Sequence, residues 1–115
     1  TYCLMKKIYR LKLQRDFDNV FKNGRNATAD GLTLKYARNE LKHCRLSEII
    51  SKKTAKTAVQ RNLLRRRLKE IIRTEYLGKL SNWDMVIIVR PELLKKNFAE
   101  LKEVVRLVLE KAKLI

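Results

Sequence analysis

The segment from Thr57 to Gly78 predicts one long helix with two chemically different faces. Thr57 and Gln60, three residues later, form a capping box, and Gly78 stands just past the last residue of the periodic pattern. At about 100° per residue, one side of this helix is apolar and indicates the face that packs on a core. The apolar side consists of Leu64, Leu68 and Ile71, flanked by Ile72.

Another side of the same helix is strongly basic and spans roughly 140° of arc. Like charges four residues apart destabilise a helix by a few tenths of a kcal/mol, whereas ordinary solvated faces mix signs. The pairing of like charges occurs three times in succession here, which favours an anionic partner over a surface that serves solubility alone. The basic face consists of Arg61, Asn62, Arg65, Arg66, Lys69 and Arg73.

Lys52, Lys53 and Lys56 stand just before the N-terminus of this helix. Free backbone N–H groups and the positive end of the helix dipole already attract phosphate at this position. Basic side chains oppose that dipole unless an anion binds there, so the three lysines predict a phosphate-binding site.

The composition supports a polyanionic partner. The 115 residues fit a single domain, in which residues 1–4 are a candidate upstream extension because Met5 reads as an ordinary start. The chain holds 28 Lys and Arg against 12 Asp and Glu, a net charge of +16. Nucleic acid is the first candidate partner and an acidic membrane surface the second. Because no apolar run approaches the roughly 20 residues that span a bilayer, we expect no membrane partner.

Two cysteines, Cys3 and Cys44, predict neither a disulfide framework nor a metal site. His43 beside Cys44 lacks further Cys or His partners, and we interpret the pair as structurally inert. These features indicate a reduced, cytoplasmic protein. No nucleophile–base pair or phosphate-binding glycine loop is present, and the sequence indicates no small-molecule substrate.

The remaining patterns predict a small α+β sandwich in the order α-β-β-α-β-α, with three or four strands. Alternation places Leu32, Leu34 and Tyr36 on one face of a strand. Asn97 and Glu100 give a second helix-capping signal. The other predicted elements are a helix at Arg15–Lys22 ended by Gly24, strands at Leu32–Ala37, Arg45–Ser51 and Met85–Val89, a turn at Asn39–Cys44, and a last helix carrying Phe98, Leu101, Val105, Val108 and Ala112.

Three segments in order resemble the bacterial ribonuclease P protein component family. Ser51-Lys52-Lys53, Ala58-Val59, Arg61-Asn62 and Arg65-Arg66 occupy the positions of its basic signature. "YRLKLQRDFDNVFKNG" is similar to the N-terminal segment of the family and "DMVIIVRP" to its late strand. Leu63 stands where the family usually has a second Arg, and the turn Thr54–Thr57 has no Gly.

The resemblance implies a ribosomal-protein-S5-domain-2-like fold with an unusual β-α-β crossover. It further implies a protein subunit that binds the catalytic ribonuclease P RNA and the 5′ leader of precursor tRNA. Catalysis would come from the RNA with its bound Mg²⁺, and no cofactor would be held by protein side chains alone. The basic residues named above would contact the catalytic RNA. The residues expected to line the leader cleft are Phe17, Phe21 and Tyr36 with Arg10, Lys12, Arg15 and Lys35.

Other interpretations remain open at this point. In isolation, Phe17, Phe21 and Tyr36 fit core positions better than a binding cleft, and Trp83 fits packing. A ribosomal or other structural RNA-binding protein would carry a similar basic helix. A DNA-binding helix-turn-helix needs two closely spaced helices, which the strand pattern before Thr57 disfavours.

Overall fold

The computed structural model describes residues 10–11, 13–40, 44–76 and 82–114. Within these ranges the predicted order of helices and strands is confirmed, with one further strand and a 3-10 helix that were not predicted. The elements are α1 (Gln14–Asn23), β1 (Arg25–Ala29), β2 (Leu32–Arg38), β3 (Arg45–Ile50), α2 (Ala58–Tyr76), β4 (Trp83–Val89), the 3-10 helix Pro91–Lys95 and α3 (Phe98–Lys111).

The four strands form one mixed sheet in the order β1-β2-β4-β3. β1 and β2 are an antiparallel hairpin joined by Asp30 and Gly31, whose φ values of 41° and 92° suit a tight two-residue turn. β2 and β4 are antiparallel, whereas β3 and β4 are parallel. Parallel neighbours need a crossover connection, and α2 provides it. This is the β-α-β unit that the family resemblance implies.

Helices cover both faces of the sheet, which accounts for the sandwich architecture. α1 packs against β2 and β4 on one face, and α3 packs against β1 and β2 on the other, with α2 beside it. The main core lies between the sheet and the α2–α3 pair. Its largest fully buried side chains are Leu32, Leu68, Ile71, Met85, Leu93, Leu101 and Val108.

A second, smaller core lies under α1. Leu11, Val20, Ala37 and Val86 are buried there. Phe17 and Ile88 are partly buried against them. The alternation of β2 thus divides its residues between the two cores, as expected for a strand with both faces covered.

The caps and ends of the helices agree with the predicted signals where they can be compared. Asn97 and Glu100 form the predicted capping box of α3. Gly78, the predicted end of the long helix, and His43, interpreted as structurally inert beside Cys44, lie outside the described residues. Among the described helices, none is long and apolar enough to cross a membrane.

Candidate nucleic-acid interface

The capping box at Thr57 fixes the start of α2. The Gln60 backbone N–H donates to Thr57 Oγ1 at 3.1 Å, and the Thr57 N–H donates to Gln60 Oε1 at 3.4 Å. The apolar side of α2 packs on the main core, and the opposite side of the helix therefore faces solvent. The buried residues of α2 are Leu64, Leu68, Ile71, Ile72 and Tyr76.

The loop that carries the three lysines is anchored in its middle, at Thr54 and Ala55. Thr54 is buried and its hydroxyl donates to the Val89 carbonyl at 3.2 Å, which ties the loop to the end of β4. Arg61 Nη1 donates to the Ala55 carbonyl at 2.8 Å and ties the loop to the first turn of α2. The side chains of Lys52, Lys53 and Lys56 are exposed. A fixed backbone therefore presents three cations at a helix N-terminus.

The basic face of α2 divides into two halves that differ in their partners. In the first half, Arg66 is exposed and Arg65 donates to the neutral Asn62 side chain at 3.3 Å. In the second half, Arg73 binds the Glu70 carboxylate with two nitrogens, which raises the Arg73 pKa. Lys69 Nζ lies 3.8 Å from Glu48 Oε1. The positive charge available to an anion is therefore concentrated toward the N-terminus of α2.

Glu48 is a buried carboxylate on β3, beneath α2. Neither of its oxygens accepts a hydrogen bond from the described residues. Burial raises its pKa, while Lys69, Arg10 and Arg65 act in the opposite direction. Arg10 Nη1 lies 3.8 Å from Glu48 Oε1, so three cations surround one acid here.

The face of the sheet covered by α1 holds a second group of the expected residues. Phe17 is partly buried in the small core, whereas the Phe21 side chain is 45% exposed. Lys35 Nζ lies 5.5 Å from the centre of the Phe21 ring and donates to Asn26 Oδ1 at 3.0 Å. Arg15 on α1 is exposed. An exposed aromatic face with adjacent cations can stack a nucleobase and contact its backbone.

Two of the residues expected in the leader cleft, Tyr36 and Arg10, lie elsewhere. Tyr36 is buried on the opposite face, where its hydroxyl donates to the Ala112 carbonyl at 3.3 Å. Its expected place beside Phe17 and Phe21 is therefore wrong, because alternation along β2 turns Lys35, not Tyr36, toward α1. Arg10 lies with Glu48 on the α2 side instead. Lys12 lies outside the described residues.

A network that was not predicted holds α1 on the sheet. Arg45 donates to the Asp84 carboxylate at 2.8 and 2.7 Å and to Asp16 on α1 at 3.1 Å. Asn39 also donates to Asp84, at 2.8 Å. The hydrogen bond from Arg45 to Asp84 raises the Arg45 pKa. This network positions Phe17 and Phe21 indirectly, and a charged residue at the start of an apolar strand was its only signal in the sequence.

The comparisons with known proteins agree on one family. The family model described as Ribonuclease P matches residues 5–113. The ribonuclease P protein component of Roseiflexus castenholzii is 36% identical over 109 residues, covering 94% of this chain and 88% of the relative. That of Petrotoga mobilis is 38% identical over 93 residues, covering 81% and 77%.

Solved structures resemble the fold over most of its length. A mutant ribonuclease P protein of Staphylococcus aureus superposes with a TM-score of 0.87 at 27% identity, covering 96% of this chain and 92% of that one. The ribonuclease P protein of Thermotoga maritima gives a TM-score of 0.75 at 28% identity, covering 84% and 91%. The sequence and structure comparisons thus point to the same family.

Proposed function

The chain belongs to the ribonuclease P family as a protein component of that tRNA-processing enzyme, and from this premise we propose which RNA each of its two surfaces binds. The N-terminal half of α2 with the loop before it binds the catalytic RNA. The α1 face of the sheet binds the single-stranded 5′ leader of precursor tRNA. The observation that carries the proposal is the group of exposed cations around the start of α2 that form no ion pair with any described residue, namely Lys52, Lys53, Lys56 and Arg66, with Arg65 beside them.

The chemistry of phosphodiester hydrolysis is assigned to the RNA subunit in this proposal. Mg²⁺ ions bound to that RNA would supply the charge stabilisation and the activated water. The residues of this chain bind and orient the two RNAs. Precursor tRNA would be preferred over the product because only the precursor carries the leader, so the leader contacts are lost when the reaction ends.

The first experiment is reconstitution of the full chain with a bacterial ribonuclease P RNA at low Mg²⁺. We expect cleavage of precursor tRNA at the correct 5′ position to be stimulated by the protein. The absence of stimulation at protein concentrations that saturate the RNA would refute the proposed function.

The contribution of α2 is tested by Arg65→Ala combined with Arg66→Ala. Each lost phosphate contact should weaken assembly with the catalytic RNA and reduce the steepness of its salt dependence by about one unit. A matched control, Lys22→Ala with Lys111→Ala, removes the same charge from α1 and α3. Equal losses for both double variants would show that only net charge matters.

The contribution of the α1 face is tested by Phe21→Ala, since Phe21 is exposed whereas Phe17 also supports the small core. Loss of one base-stacking surface should weaken the binding of precursor tRNA by the holoenzyme about tenfold and leave the binding of mature tRNA unchanged. Phe98→Ala on α3 is the control, because Phe98 is exposed to a similar degree, 40%. A Phe21 variant that binds both tRNAs like the unmodified protein would contradict the assignment of this face.

A further inference from the structure

A depression of about 450 Å³ lies at one end of the sheet, next to the C-terminal end of α1. The register places Arg25 opposite Tyr36 and Arg38 opposite Trp83, so these four side chains share the sheet face that α3 covers. α3 ends just short of them, and Lys113 completes the rim. The depression is therefore open to solvent at the point where the helix stops covering the sheet.

Its floor is a rigid aromatic pair. The rings of Tyr36 and Trp83 meet edge to face, with centroids 5.6 Å apart and planes at 71°. Tyr36 is held by its hydrogen bond to the Ala112 carbonyl, at 3.3 Å. The Arg38 guanidinium carbon lies 5.0 Å from the centre of the Trp83 ring and Arg38 is exposed. A planar cation backed by an indole is thus presented to solvent, and such a surface stacks nucleobases.

The rim is positive and holds no counter-charge. Arg25, Arg38 and Lys113 are exposed, and none forms an ion pair with any described residue. None of the described residues that line the depression is acidic. Elsewhere the chain pairs Arg45 and Arg106 with carboxylates. Three clustered cations without an acid repel one another unless an anion binds among them.

Lys113 has a left-handed backbone conformation, which a lysine adopts at a cost in free energy. It follows the end of α3 with φ +60°, the left-handed conformation that glycine usually supplies after a helix. Two backbone hydrogen bonds close this end: Lys113 N–H to the Glu110 carbonyl and Leu114 N–H to the Leu109 carbonyl, both at 3.0 Å. The lysine is therefore held at a fixed place on the rim, where glycine would fit the backbone better. A cost of this kind points to a role for the side chain.

We propose that this depression binds one unpaired nucleotide of an RNA. Its base stacks on the Arg38–Trp83 pair and its phosphates meet Arg25 and Lys113. The volume is within the roughly 300–1,000 Å³ of small-molecule sites, which is room for a single nucleotide. An acidic peptide would satisfy the cations but would make no use of the planar stack. The identity of the RNA as ribonuclease P RNA or precursor tRNA rests on the proposed function, whereas binding of a nucleotide does not.

Trp83 is the only tryptophan of the chain, so its fluorescence reports on this depression. The full chain is titrated with a short single-stranded oligoadenylate. We expect saturable quenching of Trp83, with a dissociation constant raised about tenfold by Arg25→Ala combined with Arg38→Ala. Arg90→Ala combined with Lys95→Ala is the matched control, because it removes two charges from exposed positions beyond the other end of β4 and should leave the titration unchanged.

Lys113→Gly separates binding from folding. Glycine relieves the left-handed backbone, so the thermal midpoint should be kept or raised while oligoadenylate binding weakens. Failure of oligoadenylate to quench Trp83, or equal binding by the arginine double variant, would overturn the inference. So would displacement of the oligoadenylate by an oligoglutamate of equal charge at the same concentration. Quenching without stimulation of ribonuclease P RNA would instead sink the proposed function and leave this inference standing.

Discussion

Glu48 is a single residue whose burial costs free energy of folding when its carboxylate is ionised. Its side chain is fully buried and lacks hydrogen-bond donors among the described residues. Burial outweighs the attraction of the neighbouring cations, since the Glu48 pKa is raised rather than lowered. An ionised carboxylate in this environment costs more desolvation than its ion pairs return. The negative charge also lies beneath the basic face that would meet RNA.

Glu48→Leu should stabilise the protein at neutral pH by about 1–3 kcal/mol, since apolar residues often replace buried ion pairs with a net gain. In the unmodified protein the folded state holds its Glu48 proton more tightly than the unfolded state does. The Glu48 contribution is therefore favourable below the ordinary pKa of 4.5 and is lost as pH rises through the raised value. Urea unfolding of both proteins across this pH window isolates the contribution by difference. A Leu variant less stable than the parent at pH 7 would show that the ion pairs are net stabilising.

Gly24 is a second residue with a defined steric role, at the junction of α1 and β1. A Cβ added there would lie 2.3 Å from the Val20 carbonyl oxygen and 2.7 Å from that of Tyr36. Both contacts are with backbone, which cannot move aside as a side chain would. Gly24→Ala should therefore lower the free energy of unfolding by about 1–3 kcal/mol. Asn23→Ala, at the exposed neighbouring position, should change it by less than about 1 kcal/mol in the same urea titration. Equal stability of the two variants would mean that α1 shifts at no cost.

At the scale of elements, periodicity predicted the structure where the pattern was long or strictly alternating. α2, α3 and β2 were identified because each has a continuous apolar stripe and recognisable caps or alternation. β1 was not predicted, because Arg25–Ala29 is a short, polar segment rich in Ala. The Asp30-Gly31 pair that follows it is nevertheless a hairpin signal. Strand propensity could not find it, since pairing with β2 is what makes it a strand.

The face of an element was predictable, but the neighbour that covers the face was not. Alternation correctly grouped Leu32, Leu34 and Tyr36. Which helix covers these three residues depends on the path of the whole chain over the sheet. α3 covers them, whereas the expected place of Tyr36 was beside α1. Arg10 was misplaced for a similar reason, because its neighbours are fixed by a bridge to Leu46 far along the chain. Local sequence patterns do not indicate contacts between residues that are far apart along the chain.

Leu63 on α2 provides an element-scale test of the RNA-binding face. Its side chain is 40% exposed next to Asn62, at the position where related proteins were expected to have arginine. Leu63→Arg adds one cation to the N-terminal half of the helix. We expect tighter binding of ribonuclease P RNA, with a salt dependence steeper by about one unit on a double-logarithmic plot.

The control for Leu63→Arg is Phe98→Arg, which adds the same charge at a position of equal exposure on α3. If long-range attraction alone governs binding, both variants will tighten it to the same extent. If the N-terminal half of α2 contacts phosphate directly, only the Leu63 variant will change the slope with salt.

At the scale of the whole molecule, acids and bases are distributed unequally between internal pairs and the surface. Several of the acids pair with cations inside the chain: Asp84 and Asp16 with Arg45, Glu70 with Arg73, and Glu103 and Glu110 with Arg106. The remaining Lys and Arg outnumber the remaining acids, and the whole chain has a net charge of +16. The folded chain therefore carries a repulsive energy that a polyanion would relieve.

Salt should consequently act on folding and on RNA binding in opposite directions. Raising NaCl screens the repulsion among surface cations, so the thermal midpoint of the free protein should rise by about 4 °C between low and moderate ionic strength. Over the same range, RNA affinity should fall with a double-logarithmic slope of about −4, because the five cations around the start of α2 each release a counterion on binding. Lys22→Gln combined with Lys95→Gln and Lys96→Gln lowers the repulsion outside α2. This variant should show a smaller rise in the thermal midpoint and an unchanged binding slope. A midpoint that falls with salt would mean that the internal ion pairs, rather than the surface repulsion, govern the electrostatic free energy of the fold.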